Sequence, residues 1–167
     1  MNRHVRLRAA LVVCSVTALA FVAMAAAQSA PRVGSGDVVA DRIRLMKLNG
    51  ASLADLQAKA KAGNVEAIAV NAETIALNAQ HVPLLFPPGS ITDKSRAKPD
   101  IWQKRGEFEN AARNLQALAE KLRDAARAKD VPAVEAMVKD FGKQACGACH
   151  LPQADGTIFG PFFRSLQ

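Results

Sequence analysis

Two thiols and an imidazole fall within five positions near the end of this 167-residue chain: Cys146, Cys149 and His150, in "CGACH". Three chemistries use such a cluster. A dithiol–disulfide site uses C-x-x-C, normally where a helix follows a strand in an α/β fold, but no strand pattern precedes Cys146. A closed zinc site takes four ligands, and beyond the N-terminal leader only His81 and carboxylates are at hand to complete one. C-x-x-C-H is also the pattern of covalent haem: the thiols add to the two vinyl groups and the adjacent histidine binds the iron. Cysteines three residues apart on a helix reach neighbouring pyrrole edges and leave His150 under the ring. This last pattern uses all three residues, so one covalently attached haem c is the expected cofactor.

Only 17 residues follow His150 and none is methionine, so a ligand for the opposite face must come from upstream. Beyond the N-terminal leader, Met46, Met137 and His81 are the candidates. Met137 lies on the same helix as His150, about 20 Å away along its axis at 1.5 Å per residue, and cannot reach round the ring. His81 closes a helix beside Pro83, where a cation suits the helix dipole. Met46 sits on the apolar face of a different helix and is the favoured partner of His150.

The elements that must position these residues are helical. Ala, Leu, Lys, Glu and Gln dominate, Tyr is absent, and no alternating run is sustained. A first helix starts near Asp37 and carries Val39, Ile43, Met46 and Leu53 on its apolar face, with Gly50 thinning or bending it. A second spans about residues 64–81, with Ile68 and Ile75 inward and Val70 and Leu77 flanking. Pro83, Pro87, Pro88, Gly89 and Pro99 keep helix out of the long connection that follows. A third helix has Asp100 as N-cap and runs to about Ala128, burying Phe108, Ala112, Leu115, Leu118, Ala119 and Leu122. A fourth follows Asp130, takes Pro132 in its first turn, and carries Val134, Met137, Val138, Phe141 and Ala145 toward the cysteines. Two short links and one long one make an all-α, antiparallel up-down four-helix bundle.

The first 27 residues read as a cleaved export signal: Arg3, Arg6 and Arg8 without an acid, an apolar run containing Cys14, then small residues, with cleavage expected after Ala27. Residues 28–36 form a flexible segment, 37–155 the bundle and 156–167 a tail whose Ile158, Phe159, Phe162 and Phe163 pack back on it. Removing the signal leaves 19 basic and 15 acidic side chains, a net charge of +4. The charges alternate in sign, which fits a solvated helical surface and argues against nucleic-acid binding. No membrane insertion is expected after cleavage, and the location is periplasmic.

The pattern resembles the class II c-type cytochromes, the cytochrome c′ family, over about residues 37–150. Besides "CGACH", the likeness rests on "RIRLM" with Arg42 and Met46, on "VPLLFP", and on "PDIW" with Trp102. The family has two branches. The resemblance, closest in "MKLNG" to the low-spin one, implies an electron carrier with His150 and Met46 as axial ligands and no enzyme activity. The alternative is a five-coordinate protein binding nitric oxide or carbon monoxide. Arg42, one turn before Met46, would pair with a haem propionate, and Trp102 would pack at the haem edge. Where the family places an aromatic–Arg pair within a turn of the ligand histidine, this chain has its pair only at Phe163 and Arg164. The expected partners are periplasmic redox proteins, docking weakly through the haem-edge side of the third and fourth helices. A homodimer through the first two helices is left open.

Overall fold

The computed structural model describes residues 34–150. The leader with Cys14, most of the segment expected to be flexible, and everything after His150 lie outside the described residues. Helix α1 (Val38–Lys61) opens on Asp37, whose carboxylate accepts from the amides of Val39 and Ala40 at 3.0 Å each. This N-cap satisfies two of the otherwise orphaned first-turn donors. The helix runs through Gly50 without interruption, and Gly63, at φ +72°, turns the chain back. Helix α2 (Ile68–His81) starts after a turn and leads into a short 3₁₀ turn, Pro83–Leu85.

The third helical stretch is broken. Asp100 is not a cap but the first residue of a four-residue turn, α3 (Asp100–Gln103). Lys104, at φ −113° and ψ 45°, interrupts the ladder before α4 (Arg105–Arg127). Both pieces grip the long connection: the Trp102 indole donates to the Pro87 carbonyl at 2.9 Å, and Arg105 donates to the carbonyls of Phe86 at 2.9 Å and Pro83 at 2.8 Å. Helix α5 (Val131–Phe141) is capped by Asp130, which accepts from the Ala133 amide at 3.1 Å.

In the bundle α2 lies along α4, α1 along α2, α5 along α4, and α5 closes on α1. The links at 62–67 and 128–130 are too short for anything but antiparallel neighbours. There is no β-strand among the described residues, and no helix there is long and apolar enough to cross a membrane.

Burial corrects the expected faces of α1 and α2. Ile43, Val70 and Leu77 are exposed, while α1 buries Asp41, Arg42 and Asn49 beside Val39 and Leu56. The inward side of α2 holds Ala69, Ala72, Ala76 and Ala79 with Ile68 and Ile75. Small side chains let α2 approach α4, which answers with Ala112, Ala119 and Ala126. Asn49 is buried at little cost because the Asn78 amide donates to it at 2.8 Å, tying α1 to α2. The apolar interior forms two clusters. One centres on Leu56, Ile68, Ile75, Leu122, Val134 and Phe141; the other joins Val82, Leu85, Phe86, Ile101 and Phe108.

Candidate haem site

The sequence "GKQAC" does not continue α5 as an α-helix. Gly142–Cys146 form a π-helical turn, with the Gly147 amide donating back to the Gly142 carbonyl, five residues away, before α6 (Gly147–His150). A π turn absorbs one extra residue. Cys146 and Cys149 therefore take up the phase that positions 145 and 148 would hold on an unbroken α-helix. That is the phase of the inward stripe through Val134, Val138 and Phe141. Cys146 packs on the first apolar cluster and Cys149 on the second, so the motif spans the seam between them.

At this seam lies a cavity of about 300 Å³. Met46, Asn49, Gly50 and Leu53 of α1 form one wall, Val82, Phe108, Ala111, Ala112 and Leu115 another, and Ala145, Cys146, Cys149 and His150 the third. A second cavity, about 450 Å³, shares Met46 and His150 and is bordered further by Val39, Arg42, Ile43, Lys47, Phe86 and residues 94–97. Chain positions about a hundred residues apart, Met46 and the "CGACH", thus face the same space. Met137 sits in the first core cluster, and His81 is exposed with its Nδ1 against the Leu77 carbonyl at 2.9 Å. Neither borders either of these two cavities.

The electrostatics separate the chemistries open to the two thiols. Burial raises the pKa of Cys146, and burial followed by the neighbouring Cys146 pushes Cys149 up to about 11. Thiol–disulfide exchange requires a thiolate, favoured by cations or a helix N-terminus; these thiols are held protonated instead. Among the described residues, no group of three or more His, Cys, Asp or Glu is placed to hold a metal ion by itself. Burial, with Arg96 second, lowers the pKa of His150, so its imidazole is neutral and offers a lone pair at neutral pH. An apolar space walled by two protonated thiols, a neutral imidazole and a thioether fits a c-type haem.

Arg42 lines the second cavity, but most of its guanidinium is engaged in the long connection. Nε donates to the Leu85 carbonyl at 2.5 Å, Nη1 to the Ser90 carbonyl at 3.0 Å and to Ser95 Oγ at 3.2 Å, and Nη2 to Ser90 Oγ. Its carbon Cζ lies 4.0 Å from the centre of the Phe86 ring. Trp102 borders neither cavity; it stands behind Phe86, ring centroids 6.3 Å apart. Sequence reasoning missed Asn49, Gly50, Phe86, Lys47, Lys94 and Arg96 as site residues. The first two stand three and four residues beyond Met46 and were legible from helical spacing. The loop cations carried no such signal.

A four-helix bundle whose last helix ends in C-x-x-C-H beside an apolar cavity defines a class II c-type cytochrome. The comparisons agree. The family model described as Cytochrome C′ matches residues 37–152, and the chain belongs to that family. Cytochrome c-556 of Agrobacterium tumefaciens (strain II Chrys) is 37% identical over 115 residues, covering 67% of this chain and 92% of its own. Cytochrome c-554 of Cereibacter sphaeroides is 35% identical over 71 residues, 41% of this chain and 45% of the relative. Among solved structures, cytochrome c′ from Rubrivivax gelatinosus superposes with a TM-score of 0.62 at 24% identity, covering 77% of this chain and 96% of that one. The protein accordingly carries a single covalently attached haem c, and its role lies in electron transfer or gas binding.

Proposed function

We propose that the protein is an exported, periplasmic electron carrier, with haem c joined through Cys146 and Cys149 and with His150 and Met46 as axial ligands. The observation that carries this reading is the cavity shared by Met46 and the "CGACH". When bound, the haem supplies a one-electron ferrous–ferric couple. The side chains hold and tune it. Met46 is half-buried and fixed on a 24-residue helix, and His150 is fixed by the turn that carries both thiols. Rigid placement of both ligands keeps reorganisation small, and a soft thioether favours the ferrous state. Arg42 serves mainly as the anchor of the loop wall, and as a lining residue of the second cavity it would also pair with a haem propionate. Trp102 acts through Phe86, which it backs. As a carrier the protein would need no side chain that makes or breaks bonds in a substrate. The likeness to the relatives named cytochrome c-556 and c-554 is consistent with the methionine-ligated branch.

The test is the visible spectrum of the purified protein, oxidised and reduced. A low-spin spectrum with a methionine–ferric charge-transfer band, lost in Met46→Ala, is expected. A high-spin spectrum with rapid carbon monoxide binding to the ferrous form would establish the five-coordinate alternative.

A further inference from the structure

Among the described residues the second cavity is bordered by four cationic side chains, Arg42, Lys47, Lys94 and Arg96, and by no carboxylate. Some basic groups elsewhere sit in pairs, Lys59 with Asp55, Arg105 with Glu109, Arg123 and Arg127 with Glu73, Lys129 with Glu66, while others, among them Lys61, Lys121, Lys139 and Lys143, do not among the described residues. Lys47 and Lys94 make no ion pair among the described residues. Lys47, Lys94 and Arg96 are all exposed, and they ring Ile43, an apolar side chain that is 46% exposed. The same cavity is bordered by Met46 and His150, the two proposed axial ligands. Positive rim, apolar centre and proximity to both ligands thus coincide on one face, made by α1 and the connection at residues 86–97.

We propose that electrons enter and leave through this face, and that its partner is a redox protein presenting a carboxylate-rich patch around its own centre. The proposal rests on the carrier reading above and places docking on a different face from the surface on the third and fourth helices expected from sequence. A rim of one sign raises encounter rates with an oppositely charged partner, and it does so most at low salt. An interface of this kind stays small, so that the complex forms and parts quickly. In each encounter one electron passes from the ferrous centre to the partner's oxidised centre, or the reverse, and no proton or atom is exchanged.

The test uses the holoprotein and two probes: ferricyanide, a trivalent anion that takes one electron to become ferrocyanide, and poly-L-aspartate as a non-redox acidic surface. The double variant Lys47→Glu/Lys94→Glu is compared with Lys121→Glu/Lys139→Glu, whose positions are exposed on α4 and α5 and border neither cavity. At low salt, oxidation of the ferrous protein by ferricyanide should slow about tenfold in the first variant and less than about twofold in the second. The gap should close near ~0.5 M salt, where charges are screened within a few ångströms. In ¹⁵N NMR spectra of the ferrous protein, poly-L-aspartate should shift the amides of Lys47, Lys94 and Arg96 in the parent and not in the first variant. Equal slowing of both variants, or shifts confined to α4 and α5, overturns the proposal. So does binding of the parent to anionic phospholipid vesicles without any response to poly-L-aspartate. A high-spin spectrum defeats the carrier reading whatever these rates do, whereas a low-spin spectrum with indifferent rates defeats the docking face alone.

Discussion

Replacing Arg42 by Met keeps the apolar stem and removes the guanidinium that ties α1 to the loop wall of the site. The side chain is 6% exposed and makes four hydrogen bonds across the fold. Hydrogen bonds to a charged group contribute about 1.5–3 kcal/mol each in isolation, and the contact with the Phe86 ring adds about 1–2 kcal/mol. Those figures do not sum. Burial lowers the pKa of Arg42, a direct sign that desolvating the cation offsets part of the gain, with Asp37 restoring some of it. The Ser90 hydroxyl, half-buried, can turn to water, whereas the Leu85 carbonyl belongs to a buried residue and loses its donor. The net expected loss is about 3 kcal/mol, at the low end of the range for breaking a buried charged pair. Urea denaturation of the holoprotein reads this as a lower midpoint at unchanged slope. Limited proteolysis should meanwhile cut first within residues 86–97. Arg42→Lys keeps the charge but not the fork, and should recover less than half of the loss. A loss below about 1 kcal/mol for Arg42→Met, or cleavage no faster in this loop than elsewhere, would refute the clamp.

The π turn predicts an asymmetry between insertion and deletion. One Ala inserted after Lys143 rotates the cysteines by about 100° and should abolish covalent haem attachment, whereas deleting Lys143 restores an α-helical ladder with the thiols in phase and should preserve it; haem stain on a denaturing gel distinguishes the two. Asn78→Ala removes the donor to buried Asn49 and should cost about 1–2 kcal/mol in thermal or urea unfolding, with the oxidised spectrum unchanged. Asp55 has its pKa lowered by hydrogen bonds from Lys59 and then Asn71. A carboxylate whose folded pKa is depressed contributes stability above its unfolded pKa and loses it as pH falls through the lower folded value. Lys59→Met/Asn71→Ala should therefore flatten the acid limb of stability against pH, and an unchanged limb counts against this network. Cys146→Ala/Cys149→Ala should yield protein whose haem is removed by acid–organic extraction; haem still retained would show that other groups hold it.

The chemistry of this protein was legible in the sequence because it depends on short-range spacing. Cys146, Cys149 and His150 are fixed relative to one another by a single helical turn, and Arg42 and Met46 share a face because they lie four residues apart. The helix starts near Asp37 and after Asp130 were equally local, whereas the one residue expected as a cap, Asp100, lies inside the first turn of α3. Everything that required knowing which neighbour a face meets was left to the tertiary structure. An apolar residue at helical spacing says only that it can be buried: Ile43, Val70 and Leu77 are not, because alanine faces of α2 and α4 made the close contact and polar Asn49 and Arg42 found partners inside. Trp102 and Arg105 hold the long connection from either side of the break at Lys104, and the pattern of residues on either side carries no mark of that break. Arg42 shows the division most sharply. Its place beside Met46 follows from helical geometry, but its engagement by Leu85, Ser90 and Ser95 depends on a loop folding back across more than forty residues. The same folding sets Lys94 and Arg96 beside Met46. Charge carries no periodicity that would reveal such a meeting, because nothing in the chain's local energetics depends on it until the loop has closed.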